Sequence, residues 1–212
     1  MIHRLRTALV ASVAVSALGL LAAIVPSAQA SVLSLLPGSC GQQAESQVFA
    51  RWGDENEYTL VKGGDFEAGT PGWQLSRDAA VVNGNETFYV HAATDSHSLS
   101  LPSGSSAISA ASCTSIYHPT VRMFVRNQGA PSSHLLVQAL YPGLLGGVDT
   151  TTIGELSGTS SWEPSPAMPL LLDNLLATVS LDQTVIAFRF TPTTGSGSWS
   201  IDDVYLDPYC RG

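Results

Sequence analysis

Short apolar or alternating runs, separated by turn residues, recur along most of the chain and constrain its fold more than any other feature. The runs include Thr120 to Arg126, Leu135 to Tyr141 and Val185 to Phe190, and turn pairs such as Asn83 and Gly84 lie between them. Charged residues make up only 12% of the chain, which argues against long solvated helices. About ten such runs predict an all-β fold, an antiparallel β-sandwich.

Alternation of side chains supports this prediction where it can be tested. Ile186, Phe188 and Phe190 share one face of their run, and Arg189 lies on the other face. One patch, from Leu170 to Thr178, is helix-like instead, and it predicts either one helical turn or a loop that plugs the sandwich.

The first 30 residues have the pattern of a secretory signal. Arg4 and Arg6 precede an apolar run from Ala8 to Val25, and an A-x-A tripeptide ends at Ala30. We therefore expect cleavage after Ala30, export, and no membrane insertion of the mature protein. The alternative is an uncleaved anchor, because the apolar run approaches the length of a spanning helix.

The mature chain is acidic and long enough for one compact domain. Residues 31–56 have no sustained period and are predicted to be an irregular lead-in, followed by a β-sandwich domain over residues 57–212. Two of the nine basic residues lie in the leader and all 17 acidic residues follow it, so the mature chain has a net charge of −10. This charge argues against nucleic acid or an anionic membrane surface as a partner.

Three cysteines follow the leader: Cys40, Cys113 and Cys210. An odd number in an exported protein leaves one disulfide and a spare thiol, or an intermolecular bridge, and three pairings are possible. We predict the pair Cys40–Cys113, which would tether the lead-in to a strand. Cys210, close to the end of the chain, is then the spare thiol.

Three segments carry a resemblance to a known family. Leu60 to Trp73 reads LVKGGDFEAGTPGW, Ser96 to Leu101 reads SHSLSL, and Trp199 to Leu206 reads WSIDDVYL. They resemble the "NGDFExGxxGW", "GxxSLxL" and "IDDVxL" elements of secreted carbohydrate-binding modules with a galactose-binding-like jelly-roll fold. The whole also resembles a group of uncharacterised secreted bacterial proteins. The resemblance implies one jelly roll from about Tyr58 to Pro208.

The resemblance also implies a structural calcium ion between the first and last strands. In the similar modules the opening Glu and the closing Asp help to bind it, which points here to Glu67 and Asp202. Asp203 and the backbone near residues 95–98 are possible additions. Carboxylate and carbonyl oxygens are the ligands that calcium prefers. In the alternative, these carboxylates face solvent or cap a turn and a bulge.

A ligand face is predicted on the strand from Thr120 to Arg126, where Phe124 shares a face with Arg122 and Arg126. An aromatic ring between two guanidinium groups suits sugar recognition. In the alternative, both faces of the sandwich are covered and each Arg pairs with a carboxylate. Tyr89 is a further candidate, on a predicted strand from Thr87 to His91.

The other aromatic and polar residues are assigned to packing or to the surface. Trp73, Trp162 and Trp199 are predicted to pack, and Trp52 in the lead-in is left undetermined. The chain has no G-x-S-x-G elbow and no H-x-H or H-E-x-x-H pattern. Asp202 and Asp203 point to opposite faces of a strand unless a bulge intervenes, which makes them a poor acid–base pair. A glycosidase whose carboxylates come from separate segments stays open as an alternative. Asn85-Glu86-Thr87 fits a glycosylation sequon.

Together these features predict a secreted, non-catalytic module that binds extracellular or cell-wall polysaccharide, with a structural calcium ion. The alternative is a structural or adhesive envelope protein that uses the sandwich for contact with other proteins.

Overall fold

The structure is a computed structural model that describes residues 44–115, 119–143, 147–170, 183–193 and 197–207. Within these residues it contains one 3-10 turn, η1 (Ala50–Trp52), and strands with the following bounds. They are β1 (Thr59–Leu60), β2 (Gln74–Ser76), β3 (Ala80–Asn83), β4 (His97–Leu101), β5 (Ser106–Ile108), β6 (Ser112–Ser115), β7 (Thr120–Asn127), β8 (His134–Pro142), β9 (Val148–Leu156), β10 (Glu163–Pro164), β11 (Met168–Pro169), β12 (Gln183–Thr193) and β13 (Trp199–Asp207).

The strands form two antiparallel sheets that pack face to face as a jelly-roll sandwich. In the described part of the chain, the first sheet has the order β10-β7-β13-β4-β3, with β1 beside β13 and β11 beside β7. The second sheet has the order β2-β5-β12-β8-β9, with β6 beside β12. The all-β sandwich predicted from the sequence is confirmed.

The core lies between the sheets and is built by alternation. Ile186, Phe188 and Phe190 on β12 are fully buried in it, as are Leu135 and Val137 on β8. Trp73 and Trp199 lie in this core, and Trp162 is buried in a second cluster, so all three pack as predicted.

The predicted strand from Thr87 to His91 is wrong. These residues belong to a loop between β3 and β4. The carboxylate of Glu86 accepts hydrogen bonds from the backbone N–H groups of Phe88 and Val90, and these local bonds replace pairing with a neighbouring strand.

The last strand has a bulge at the predicted acidic pair. Its register against β7 shifts between Asp202 and Tyr205, and Asp203 has a left-handed backbone with φ of 47°. At this bulge the Asp202 carboxylate lies against the N–H of Glu86, whereas the Asp203 carboxylate lies near His91 and Asp95.

The described part of the lead-in packs on the first sheet. Ser46 forms an antiparallel bridge with Tyr58, and η1 places Phe49 in a fully buried position. A cluster of aromatic side chains fills this contact: Phe49, Tyr58, Phe124, Trp162 and Tyr205.

Several predictions concern residues outside the described ranges. These are the signal at 1–30, the patch beyond Leu170, and both Cys40 and Cys210. Cys113 lies in β6, and its predicted pairing with Cys40 stays a prediction. Within the described residues, no helix has the length and apolar character needed to cross a membrane.

Candidate functional site

The predicted ligand face on β7 lies beneath the lead-in. Phe124 is fully buried and Arg122 is 7% exposed. The ring of Phe49 stacks on Phe124 at 5.6 Å between centroids, and Trp52 approaches the same ring at 5.3 Å. Neither ring face of Phe124 is open to a sugar in this arrangement.

Arg122 is held by the lead-in rather than directed to solvent. Its guanidinium donates to Asp54 at 2.6 Å and to the backbone oxygen of Ser165 at 2.8 and 3.0 Å. It also lies over the ring of Phe49 at 4.2 Å. For Arg122 and Phe124 the structure therefore agrees with the alternative prediction. Their face of the sheet is covered, and the arginine is paired with a carboxylate.

Arg126, further along β7, remains partly exposed. Its guanidinium lies over Trp162 at 4.8 Å, and a Cβ at Gly84 would lie 4.0 Å from its Nη2. Gly84 begins the loop that carries Tyr89, so Arg126 lies beside the base of that loop.

The loop between β3 and β4 is built around the buried side chain of Glu86, which is 0% exposed. Its carboxylate binds the N–H of Phe88 and, at 2.7 Å, the N–H of Val90. The ring of Phe88 packs inward on Trp52 at 5.1 Å and on Phe124 at 5.5 Å. The buried ring of Phe124 thus supports the loop from below.

Tyr89 projects outward from this anchored loop. It is 51% exposed and is the one large hydrophobic side chain in an exposed position among the described residues. Its backbone is left-handed, with φ of 52°, a conformation that costs a non-glycine residue about 1–2 kcal/mol. The contacts of Phe88 and Val90 therefore fix the backbone on both sides of Tyr89, and its ring is exposed to solvent.

His91 and Asp95 of this loop form an acidic centre with Asp203 of β13. One ligand atom from each of these side chains lies within 4.8 Å of the other two, the one such group found among the described residues. Asp65 is adjacent, with a carboxylate oxygen 3.8 Å from His91 Nδ1. Asp203 is 1% exposed, and neither of its carboxylate oxygens has a hydrogen-bond partner.

The electrostatics of the centre favour an added positive charge. Burial raises the pKa of Asp203 to about 7, and the carboxylates of Glu86, Asp95 and Asp65 add to that rise. Burial raises the pKa of Asp202 to about 9, with a further contribution from Asp203. Burial opposes the charge of His91, but the hydrogen bond to Asp95 and the nearby carboxylates raise its pKa.

Glu67 and Asp202, the predicted calcium ligands, lie outside this group of three. Glu67 accepts hydrogen bonds from the backbone N–H groups of Ser96 and His97, each at 2.7 Å, and so fixes the start of β4. Asp202 accepts the N–H of Glu86 at 2.8 Å and so fixes the start of the Tyr89 loop. Both carboxylates hold the segments that frame the centre.

The residues present fit a hard divalent cation. Calcium takes oxygen ligands at 2.3–2.6 Å, and the centre supplies the carboxylates of Asp203 and Asp95, with Asp65 adjacent. The two oxygens of Asp203 are otherwise left buried without partners, which is costly for a carboxylate. His91 already bonds Asp95 at 2.8 Å through Nδ1 and is suited to orient that ligand.

Two groupings of polar residues lack catalytic geometry. Asp202 and Asp203 are both buried, so a substrate cannot reach between them. Ser96 Oγ and Glu67 Oε2 both contact Nδ1 of His97, at 3.1 and 3.0 Å. A nucleophile and its orienting acid instead need opposite ring nitrogens.

The sequence resemblance pointed to Asp203 and to the backbone near Asp95 as parts of a calcium site, but not to Glu86 or His91. Each is a lone acidic residue or histidine within ten residues of chain, without a spacing pattern of its own. Only the fold of the loop against β13 brings them to Asp203.

Comparison with known proteins gives structural neighbours only. No family model and no curated protein matches the chain. TmCBM61, solved with β-1,4-galactotriose, is 15% identical, with 69% of this chain and 96% of that one covered and a TM-score of 0.42. The CBM22-1 xylan-binding domain of Paenibacillus barcinonensis Xyn10C is 12% identical, with coverage of 79% and 97% and a TM-score of 0.46.

A third similar structure is the family 11 carbohydrate-binding module of Lic26A-Cel5E from Clostridium thermocellum. It is 12% identical, with 79% of this chain and 96% of that one covered and a TM-score of 0.41. These three structures are carbohydrate-binding modules, the kind of protein that the sequence resemblance named.

Proposed function

We propose that this chain is an exported, non-catalytic module that binds extracellular or cell-wall polysaccharide, with the exposed ring of Tyr89 as its stacking platform. The observation that carries the proposal is the position of that ring. Tyr89 is 51% exposed and has a left-handed backbone conformation. Its neighbour Phe88 is held by a hydrogen bond to the Glu86 carboxylate. Backbone strain is concentrated at ligand-binding sites, and an exposed aromatic ring offers an apolar face for stacking.

The polar surroundings of Tyr89 suit a sugar. A pyranose ring offers an apolar face for stacking and hydroxyls at its rim for hydrogen bonds. His91 is exposed two residues further on, and Arg126 lies at the base of the same loop. These groups would bind hydroxyls around a ring stacked on Tyr89.

The proposal includes a structural calcium ion held by Asp203, Asp95 and Asp65. The ion would supply positive charge to the buried carboxylates and brace the loop against β13, so that Tyr89 stays in place. Its chemistry is structural, because the carboxylates that would bind it are mostly buried. Glu67 and Asp202 support the site through the backbone groups that they bind.

The binding test uses the mature protein and a panel of soluble neutral polysaccharides, including xylan and galactan, in titration calorimetry. We expect Tyr89→Ala to weaken binding about tenfold, because stacking is lost, and Tyr89→Phe to retain most of the affinity. Thr150→Ala, at an exposed position on β9, is the control and should bind like the native protein. Equal affinity of Tyr89→Ala and the native protein would refute the Tyr89 site.

The alternative, an adhesive or structural envelope protein, would need a flat apolar patch for protein contact. In the part of the chain that the structure describes, Tyr89 stands alone as an exposed large hydrophobic side chain. If no polysaccharide in the panel binds, the envelope role replaces the proposed one.

A further inference from the structure

Arg189 lies on the outer face of the second sheet, opposite the core. Its neighbours along β12, Phe188 and Phe190, are fully buried in the core, so alternation directs Arg189 outward. Beside it, on this outer face, Ile108, Leu140 and Ala187 form a small buried apolar cluster. The guanidinium therefore stands at the border of an apolar area.

Arg189 has no counter-charge among the described residues. No carboxylate there lies within ion-pair distance of it, and its Nη2 atom is buried without a hydrogen-bond partner. Burial lowers the pKa of Arg189, and no nearby carboxylate offsets the effect. In a chain with 17 acidic and nine basic residues, a partly buried arginine without an acid is unexpected, because such a charge is costly when unpaired.

A row of side chains crosses the sheet through Arg189. The strand registers place Gln74 opposite Ile108, Ile108 opposite Arg189, Arg189 opposite Gln138, and Gln138 opposite Thr152. Residues directly opposite each other in antiparallel strands share a face. The row therefore presents two amides, a hydroxyl and one guanidinium along a line of about 19 Å, at about 4.8 Å per strand.

We propose that this row is a second binding site, for a polysaccharide that carries carboxylate groups, with Arg189 binding the carboxylate of a uronic acid unit. A carboxylate supplies the negative charge and the hydrogen-bond acceptors that suit a guanidinium. Gln74, Gln138 and Thr152 can bind hydroxyls on either side of it. A ligand lying across the strands would supply the counter-charge that Arg189 lacks among the described residues.

That the ligand is a polysaccharide rests on the proposed function, whereas its carboxylate group is inferred from Arg189 alone. An extended row suits a chain of repeating units better than a single small anion. An acidic polypeptide would carry the same carboxylates without sugar hydroxyls, so it serves as a probe in the test.

The test compares polygalacturonate, its fully methyl-esterified neutral form and polyglutamate in titration calorimetry with the mature protein. The variants are Arg189→Met and Arg189→Gln, and the control is Arg77→Met, which removes the same charge from an exposed position near the end of β2. We expect native protein to bind polygalacturonate, and both Arg189 variants to bind it at least about tenfold more weakly. Arg77→Met should bind it like the native protein.

Thermal melts of the same variants give an independent readout. Because the guanidinium has no partner, Arg189→Met should melt at the same temperature as the native protein or higher. A clear fall in its melting temperature would show that Arg189 has a structural role and would overturn the proposal. Equal loss of affinity in Arg189→Met and Arg77→Met would also overturn it, since the attraction would then be unspecific.

The remaining outcomes separate the two proposals. Binding of neutral glycan that depends on Tyr89, together with no binding of polygalacturonate, refutes the Arg189 site alone. Binding of polygalacturonate that depends on Arg189, with no effect of Tyr89→Ala on any glycan, refutes the Tyr89 site alone. Equal affinity for polyglutamate and polygalacturonate would contradict the assignment of a polysaccharide.

Discussion

The Arg122 guanidinium lies 2.6 Å from the Asp54 carboxylate and joins the lead-in to β7 of the first sheet. Their side chains are 8% and 14% exposed, so solvent screens this pair only weakly. Tyr58 donates to the same Asp54 oxygen at 2.7 Å. The part of the lead-in from residue 44 to residue 56 is therefore an integral layer of the fold, because it neutralises a charge and covers a ring that the sheet alone would expose.

Replacing Asp54 should leave Arg122 buried without its counter-charge. We expect Asp54→Ala to lower the free energy of unfolding by about 2–3 kcal/mol, as for other charged groups that lose a partner. Urea unfolding followed by fluorescence measures it. Glu55→Ala, which removes the same charge from the exposed neighbouring position, should change stability by less than about 0.5 kcal/mol. Equal effects of the two variants would contradict the role given to the ion pair.

The ring of Phe49 should matter as much as a residue of the main core. It is fully buried and contacts the rings of Tyr58, Phe124 and Tyr205. Phe49→Ala should therefore cost about 3–5 kcal/mol and expose surface that binds a hydrophobic dye. Trp52→Ala, at a half-buried position, should cost less. A stability loss below about 1 kcal/mol for Phe49→Ala would show that the lead-in is dispensable.

The strands and the core were predictable because they rest on local alternation. The residues on β12 that share a face in the sequence do fill the core. The covered face of β7 was not predictable, because Phe49 meets Phe124 from 75 residues away and the lead-in has no period of its own. The sequence therefore allows both an open and a covered face there.

The Tyr89 loop shows a second limit of predicting strands from the alternation of side chains. Thr87 to His91 has the pattern of a strand, but one buried carboxylate competes for its backbone groups. In the sequence, Glu86 stands out only as the middle residue of a sequon. The acidic centre was only partly predictable: the resemblance pointed to Asp203 and to the backbone near residue 95, whereas His91 comes from a loop that is distant in sequence from β13.

Glu86→Gln should loosen the loop while leaving the sandwich folded. Glutamine has one carbonyl oxygen, and its amide group cannot accept a second N–H, so one of the bonds to Phe88 and Val90 is lost. Amide hydrogen exchange at these two positions should accelerate, and affinity for the Tyr89 ligand should fall because the loop backbone that carries Tyr89 is held less firmly. Glu155→Gln on β9 is the control for the lost charge. Unchanged exchange would contradict the anchoring role of Glu86.

The buried carboxyls predict how stability depends on pH without metal. The pKa values of Asp203 and Asp202 rise in the folded state to about 7 and about 9, above the ordinary value of 3.8. The native state then binds more protons than the unfolded state between about pH 4 and pH 9, so stability falls as pH rises through that window. In EDTA, the urea midpoint should decrease from pH 5 to pH 9. A midpoint that rises over this range would contradict the burial of these groups in the folded protein.

Asp203→Asn should have opposite effects on the metal-free and the calcium-loaded protein. Neither oxygen of Asp203 has a hydrogen-bond partner, so the change removes a buried charge near Glu86 and Asp202 without breaking a bond. Asparagine also tolerates the left-handed backbone at this position. In EDTA at pH 8, the variant should therefore melt at a higher temperature than the native protein.

With calcium the order should reverse. A cation that binds only the folded protein raises its melting temperature by mass action, and the native protein should show this rise in millimolar Ca²⁺. Asp203→Asn, lacking the unpartnered carboxylate, should show little or none, whereas Glu155→Gln should respond like the native protein. A native protein that melts at the same temperature in Ca²⁺ and EDTA would refute the calcium proposal. A variant less stable than the native protein in EDTA would instead mean that the Asp203 carboxylate has a protein partner.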